Sequence, residues 1–152
     1  MLNGFLTILQ LNSVSAAKQV FVYTDGSFPG LTSACSDTQA SDAQASAWSF
    51  TVCGIDKQGN FFRIGHSMQQ LLHSGPLVNL VPVSSSTTPE LVAILYALIW
   101  IAASGCSVKT TIFSDSTVAI GHASQCTTPT SSIKVVEYIV TLVRHIHEAR
   151  NS

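Results

Sequence analysis

The sequence predicts an α/β domain with a mixed central sheet, in which an antiparallel meander of three strands is joined by one parallel strand and flanked by helices. Two observations lead to this prediction. The predicted elements follow the order strand, strand, strand, helix, strand, helix, helix. The long helix before the last strand can serve as the crossover that a parallel connection needs. A chain of 152 residues has the length of one domain.

The first strand is predicted at residues 20–23, where Val, Phe, Val and Tyr form a continuous apolar run. Such a run is typical of a strand buried on both faces. We expect the strand to end in Thr24-Asp25-Gly26-Ser27 and an inserted surface loop to follow at residues 29–45. Residues 1–18 show no sustained period, so we expect an N-terminal tail there and the domain over residues 19–152.

A hairpin is predicted next. Residues 47–55 alternate between apolar and polar side chains, as a half-buried strand does, and residues 56–60 have the composition of a turn. Residues 61–68 then form the returning strand. A further β-like run at residues 76–83 contains two prolines, which limit it to an edge position or to the last strand of the meander.

The central helix is predicted from Pro89 to about Ser104. Thr88 precedes it as a cap, Pro89 stands in the first turn, and Gly105 closes it. Because this helix is apolar nearly all round, it must be packed on more than one side. Its apolar run of 13 residues, 91–103, is shorter than the roughly 20 residues that span a bilayer, so we expect no membrane segment.

The remaining elements are a strand at residues 108–113, a short helix at 117–123 and a longer helix at 133–148. The crossover places the strand at 108–113 parallel to the first strand and beside it. The last helix has a helical period of apolar residues, which predicts its buried face. That face comprises Ile133, Val136, Ile139, Val140, Val143 and Ile146.

Composition excludes some classes of function. The chain has 7 Lys and Arg against 8 Asp and Glu, with a formal net charge of -1. A protein that holds nucleic acid through a dense basic surface needs more positive charge than this, so any nucleic-acid role must depend on a localised site. The four cysteines, at 35, 53, 106 and 126, have no zinc-ligand spacing. We expect them to be free thiols of an intracellular protein, in the cytoplasm or nucleus.

Three carboxylates occupy related positions at the ends of predicted elements. Asp25 follows the first strand, Asp115 follows the strand after the crossover, and Glu90 lies in the first turn of the central helix. Adjacent parallel strands would bring the two aspartates out at one edge of the sheet, about 5 to 10 Å apart. Such a cluster is costly without a cation, and oxygen donors favour Mg²⁺ or Mn²⁺. The pattern therefore indicates a divalent metal site.

Simpler interpretations remain open for these residues. Asp25 can be a turn residue, Glu90 a capping-box residue, and Asp115 the N-cap of the helix at 117–123. His145 and His147 lie two apart on a helix and face different directions, so we expect them to complement the helix terminus rather than bind metal. A serine hydrolase is disfavoured, because Ser27, Ser114 and Ser116 have no placed histidine. These serines are expected instead to position backbone or substrate phosphate.

Three motifs in this order resemble the type 1 ribonuclease H domain, over about residues 19–148. They are Thr24-Asp25-Gly26-Ser27 after a strand, Thr88-Pro89-Glu90-Leu91 with Ala93 and Ala97 in the central helix, and Ser114-Asp115-Ser116 after another strand. The resemblance implies a ribonuclease H-like fold and endonucleolytic cleavage of the RNA strand of RNA–DNA hybrids with two Mg²⁺ (or Mn²⁺) ions. Asp25, Glu90 and Asp115 would be the catalytic metal ligands, and Gly26, Ser27 and Ser116 would contact the substrate.

The family pattern also includes a fifth strand, a loop histidine and a fourth carboxylate on a C-terminal helix. The sequence given ends at Ser152, before these features. We therefore expect the final strand and C-terminal helix to be missing, and the chain to be poorly soluble or molten because apolar surface is left uncovered. The loop at 29–45 and the N-terminal tail resemble a ribonuclease H segment of a retroelement polyprotein, with a reverse transcriptase-type domain as a fused neighbour.

Two other functions remain open at this point. The first is a degenerate or truncated ribonuclease H-like domain that binds nucleic acid or a protein without catalysis. The second is the phosphotransfer branch of the same fold, the actin-like sugar kinases, which also begin with a strand and an Asp-Gly loop. That branch needs a second similar domain, for which 152 residues are too few.

Overall fold

The fold is an α/β arrangement of four strands and three helices, seen in a computed structural model that describes residues 14–28, 46–71 and 85–152. In chain order the elements are β1 (Gln19–Ser27), β2 (Ala47–Ile55), β3 (Phe61–Gln70), α1 (Thr87–Ala103), β4 (Lys109–Ser114), α2 (Thr117–Ala123) and α3 (Ile133–Asn151). The predicted loop at 29–45 and the predicted β-like run at 76–83 lie outside the described residues.

The four strands form one mixed sheet in the order β3-β2-β1-β4. β1 pairs antiparallel with β2, β2 pairs antiparallel with β3, and β1 pairs parallel with β4. Val22, in the middle of β1, lies opposite Val52 on one side and Ile112 on the other. The predicted meander, the crossover through the central helix and the parallel pairing are therefore confirmed.

The β2–β3 hairpin depends on Asp56 and Gly59. The Asp56 carboxylate accepts hydrogen bonds from the backbone N–H groups of Gln58 (2.9 Å) and Asn60 (2.8 Å). These bonds lower the pKa of Asp56, after the larger effect of its side-chain hydrogen bond with Asn60. Gly59 has φ +87°, a conformation that side chains disfavour. The turn predicted at 56–60 is thus confirmed.

The sequence prediction that β1 is buried on both faces is wrong. Val20, Val22 and Thr24 are buried, whereas Phe21 is half-buried and Tyr23 is 44% exposed. The reason is that α1 covers only the face that carries the two valines. β1 ends at Ser27, within the motif in which it was predicted to end, because its last residues pair with the start of β2.

The helix α1 is packed on several sides, as its composition predicts. It contacts β1, β2 and β4 as well as α2 and α3. Leu91, Ala93 and Ala97 have no exposed surface, and the small alanines let neighbouring elements approach closely. Gly105, at φ +63°, follows the helix C-cap and ends it, as predicted.

Thr88 does not cap this helix, contrary to the sequence prediction. The N-cap is Ser86, which makes no side-chain capping bond, and Thr88 lies inside the first turn and is fully buried. The Thr88 hydroxyl hydrogen-bonds with the hydroxyls of Ser85 (3.2 Å) and Ser132 (3.1 Å). The threonine therefore joins the start of α1 to the start of α3.

The helix α3 begins at the predicted residue and buries most of the predicted face. Val136 and Ile139 are buried, and Val140, Val143 and Ile146 pack against the core. Ile133 was also predicted to be in the core but is 50% exposed, and Val135, which was not predicted, is buried. The period identified the helix and its buried face, but not the exact edge of the apolar stripe in the first turn.

The packed part of the chain begins before the predicted domain start at Gln19. Val14 and Ala17 are buried in the same core as the sheet, and the Lys18 N–H donates to the Ile55 carbonyl (2.7 Å). The cysteines at 53, 106 and 126 are free thiols, as predicted. Within the described residues, no helix is both long and apolar enough to cross a membrane.

The packing of α3 predicts that truncating two isoleucines of this helix lowers the free energy of unfolding by different amounts. Ile139→Ala, at a position with no exposed surface, should lower the free energy of unfolding by about 2 to 5 kcal/mol, because it leaves a cavity. Ile133→Ala should change it by less than about 0.5 kcal/mol. Urea denaturation of both variants measures the difference. Equal losses would show that the helix face is assigned wrongly.

Candidate metal centre

The three predicted carboxylates meet at one edge of the sheet. Asp25 lies in the last third of β1, Asp115 directly follows β4, and Glu90 lies in the first turn of α1. Each offers one oxygen, and these three oxygens all lie within 4.8 Å of one another. The predicted convergence of the three side chains is therefore confirmed. They are the only group of three or more His, Cys, Asp or Glu residues in the described ranges with the spacing to hold a metal ion.

Two features of the strands bring the aspartates together. The parallel register places Thr24 opposite Ser114, so the residues that follow them, Asp25 and Asp115, emerge side by side. The Thr24 hydroxyl donates a hydrogen bond to the Phe113 carbonyl (3.1 Å), which ties β1 to β4 directly below the cluster. Thr24 is itself buried, so this bond is shielded from water.

Gly26 allows the helix to bring Glu90 to the same place. A Cβ atom at Gly26 would lie 2.5 Å from the Pro89 carbonyl carbon and 2.9 Å from the Glu90 Cα atom. No side chain fits there without moving the backbone of either β1 or α1. The Gly26 backbone N–H also lowers the pKa of the Glu90 carboxylate. The glycine therefore sets the approach of the helix that carries Glu90.

The electrostatics of the cluster are unfavourable without a cation. The pKa of Glu90 is raised from 4.5 to about 7, chiefly because burial removes the carboxylate from water and further because of the negative charges of Asp115 and Asp25. The hydrogen bond from Gly26 opposes this shift. Glu90 Oε2 is buried and has no hydrogen-bond partner. Buried polar atoms are normally paired, so this oxygen is a free ligand position.

The donor set fits a hard divalent cation. All three donors are carboxylate oxygens, the ligands that Mg²⁺ and Mn²⁺ prefer. Asp25 and Asp115 are exposed and Glu90 is half-buried, so an ion at this edge keeps access to water and to a substrate on its open side. A cation there would also neutralise the repulsion that raises the Glu90 pKa.

The structure eliminates the simpler interpretations of two of these carboxylates. Asp25 is paired within β1 and is not a turn residue. Asp115 is not a helix cap, because Ser116 caps α2, with its hydroxyl accepting a hydrogen bond from the Ala119 N–H (3.2 Å). Glu90 has no reciprocal capping partner in Ser86, which makes no side-chain capping bond.

The three predicted substrate contacts lie near the carboxylates but differ in their surroundings. Gly26 packs against the start of α1, and Ser116 serves as the α2 cap, while its backbone N–H donates to the Ser114 hydroxyl (3.2 Å). Ser27 is exposed at the end of β1. Ser27 is therefore the one of the three whose side chain is open to solvent. Contact of any of them with substrate stays a prediction.

Sequence reasoning missed a chain of hydroxyls at the start of α1. Ser85, Thr88 and Ser132 hydrogen-bond in a row, and Thr88 and Ser132 are buried. Ser132 has φ +54°, an unfavourable conformation for a residue with a side chain. The available signal was Thr88 itself, a polar residue in the first turn of an otherwise apolar helix. His145 and His147 are exposed on α3, outside the cluster.

Comparison of the chain with protein-family models, with curated proteins and with solved structures finds no match in any of the three.

The close approach of α1 to β1 at Gly26 predicts that a single methyl group added there strongly lowers the free energy of unfolding. Gly26→Ala should lower the free energy of unfolding by about 3 kcal/mol, because backbone atoms of α1 must move to admit the Cβ atom. The adjacent, exposed Ser27→Ala should change it by less than about 0.5 kcal/mol. Chemical denaturation of the two variants measures both values. If Gly26→Ala were as stable as Ser27→Ala, the helix could not lie this close to the strand.

The raised Glu90 pKa predicts how stability depends on pH in metal-free buffer. The folded state holds the Glu90 proton more tightly than the unfolded state, so this contribution to stability is complete below pH 4.5 and is lost as the pH rises through about 7. Glu90→Gln should match the wild type in Tm at pH 4.5. At pH 8 it should be more stable by about 1 kcal/mol after screening by solvent, or about 3 °C in Tm.

The control for this measurement is Glu137→Gln, an exposed carboxylate on α3. Its Tm should follow that of the wild type across the whole pH range. Mg²⁺ should raise the wild-type Tm at pH 8, because the ion binds the deprotonated carboxylates of the folded state. A Glu90→Gln variant that is less stable than the wild type at pH 8 without metal would contradict the electrostatic account.

Proposed function

We propose that this chain is a metal-dependent nuclease of the ribonuclease H type, which hydrolyses the RNA strand of RNA–DNA hybrids. One observation carries the proposal: Asp25, Glu90 and Asp115 bring carboxylate oxygens within 4.8 Å of one another, and Glu90 Oε2 is buried without a partner. Three converging acids with an unsatisfied oxygen are a costly arrangement that a divalent cation stabilises.

The topology supports the same proposal. Three antiparallel strands and one parallel strand, with a crossover helix that carries Glu90, are compatible with a ribonuclease H-like arrangement. The acids also follow the chain order of the three resembling motifs. The support from topology is weaker than that from the cluster, because a fold alone does not define an activity.

The chain's own part in the proposed reaction is to hold the metal ligands and keep one side of the site open. Asp25 and Asp115 are positioned by the parallel strand pair, and Glu90 by the close approach of α1 to Gly26. Two Mg²⁺ or Mn²⁺ ions, when bound, supply an activated water and stabilise the leaving oxygen of a phosphodiester. The carboxylates alone would repel a phosphate, so hybrid binding at this edge should require the cation.

The choice between a nuclease and a non-catalytic binding module depends on turnover. A module that binds hybrids through other surfaces would bind them in EDTA and show no cleavage in Mg²⁺. A nuclease of the proposed kind would cleave the RNA strand in Mg²⁺ or Mn²⁺ and leave the DNA strand intact.

The decisive experiment is the cleavage of a labelled RNA–DNA hybrid with and without Mg²⁺. Asp25→Asn and Asp115→Asn should each reduce the rate by at least about 10³-fold, since each removes a charged ligand of the metal and so several kcal/mol of transition-state stabilisation. Glu137→Gln should retain the wild-type rate. Both strands are labelled, so that the cleaved strand is identified directly.

Circular dichroism of each variant shows whether its fold is retained. The same residual cleavage in the wild type and in Asp25→Asn would mean that the activity comes from a contaminant, and the proposal would fail. Folded wild-type protein that binds the hybrid in EDTA and does not cleave it in either metal would favour the binding module.

A further inference from the structure

One face of the sheet carries a group of large apolar side chains that no described helix covers. We call it the aromatic face, and it consists of Phe21, Tyr23, Phe61, Met68 and Phe113. Strand alternation places them on the side opposite to Val20 and Val22, which pack against α1. Four of them are among the most exposed apolar residues described: Tyr23 44%, Phe61 58%, Met68 70% and Phe113 44%.

The aromatic rings of this face form a continuous row. Tyr23 stacks on Phe113 with ring centres 5.2 Å apart, Phe113 lies 6.1 Å from Phe21, and Phe21 lies 6.2 Å from Phe61. Much of the flat surface of these rings therefore contacts other rings of the row. What remains open to water is a broad apolar layer, which suits another packed layer better than a stacked ligand.

A general rule indicates that this layer is an interface. Contiguous apolar patches of this kind on a protein surface mark sites of association. Of the eight exposed large apolar residues in the described part of the chain, four lie together on this face of the sheet.

The charges around the aromatic face favour a second copy of this chain as the occupant. Arg63 and Lys109 are exposed near the starts of β3 and β4, on the same side of the sheet as the rings. Asp25 and Asp115 lie at the opposite end of β1 and β4. The face is thus basic at one end, apolar in the middle and acidic at the other end.

A two-fold axis through the middle of this face would give the basic end, the apolar middle and the acidic end a complementary partner at the same time. Such an axis brings each patch against its own copy, apolar row on apolar row. With the strands of the two copies running in opposite directions, the basic end of each sheet lies over the acidic end of the other. A surface with this arrangement is complementary to itself. A rim without charge, or with charge of one sign only, would not be complementary to its own copy.

We propose that the aromatic face is the interface of a homodimer, in which two sheets pack face to face with Arg63 and Lys109 of each copy over the acidic end of the other. The acidic end of this face includes the candidate metal centre, so a cation at Asp25 and Asp115 would compete with Arg63 and Lys109 of the other copy, and the dimer is proposed for the metal-free protein. The dimer does not require nuclease activity, so a test in EDTA can fail or succeed independently of the proposed function.

Sedimentation velocity in EDTA-containing buffer, from about 1 to about 100 µM protein, tests the interface. The wild type should shift from monomer to dimer across this range. Phe113→Ser should weaken the dimer by at least about tenfold in Kd, because it removes a ring from the centre of the row. Tyr138→Ser, which removes an equally exposed ring from α3 (51%), should leave the dimer unchanged.

Met68→Ser serves as a second interface variant, since its side chain is 70% exposed and contributes little to folding. Lys109→Glu tests the charge arrangement. It should weaken the dimer at low salt, and the difference from the wild type should diminish in about 0.5 M NaCl. Lys134→Glu, on the exposed side of α3, is its matched control.

A wild-type protein that remains monomeric at 100 µM would overturn the proposal. So would an assembly of any size that persists equally in Phe113→Ser and Met68→Ser. A dimer that weakens in both of these variants but not in Lys109→Glu would overturn the antiparallel arrangement of the two copies.

Discussion

The structure of the site depends on the close contact between Gly26 in β1 and the first turn of α1. The missing side chain at Gly26 lets the backbone of Pro89 and Glu90 lie against the strand, where a Cβ atom would come within 2.5 Å of the Pro89 carbonyl carbon. This contact carries the glutamate to the edge of the sheet where the two aspartates already meet. Without it, the acids would be two neighbouring residues at strand ends and not a cluster.

That contact has an electrostatic cost, because it holds the Glu90 carboxylate in a partly buried position beside two other carboxylates. Burial and two neighbouring negative charges raise the pKa of Glu90 to about 7, and its Oε2 atom has no partner. When it is deprotonated, such a group destabilises the fold, which supports the proposal that the cluster binds a cation. A divalent cation would supply the missing charge and the missing ligand partner together.

The sequence predicted the parts of this architecture that local pattern controls. The strands, the crossover helix and the positions of Asp25, Glu90 and Asp115 followed from apolar runs, turn residues and the rule that parallel strands end at one edge. The parts that depend on packing were not predictable in the same way. Ile133 has the right period for the core but is half exposed in the first turn of α3, while Val135 is buried instead.

Two other differences have the same origin. The apolar run of β1 indicated burial on both faces, yet Tyr23 is 44% exposed, because apolar composition does not reveal which face a helix covers. Thr88 resembled a cap by its position before Pro89, and only the fold shows that it lies buried against Ser132. Local sequence thus defined the elements, and contacts distant in the chain decided which of their faces are used.

The most direct test of the central claim is a titration with Mn²⁺ at pH 8, with free ion measured by electron paramagnetic resonance. The account predicts saturable binding to the wild type, retained in Glu148→Gln, an exposed acid on α3, and weakened at least tenfold in Asp115→Asn. Equal binding by all three proteins would show that Asp25, Glu90 and Asp115 do not form a metal site.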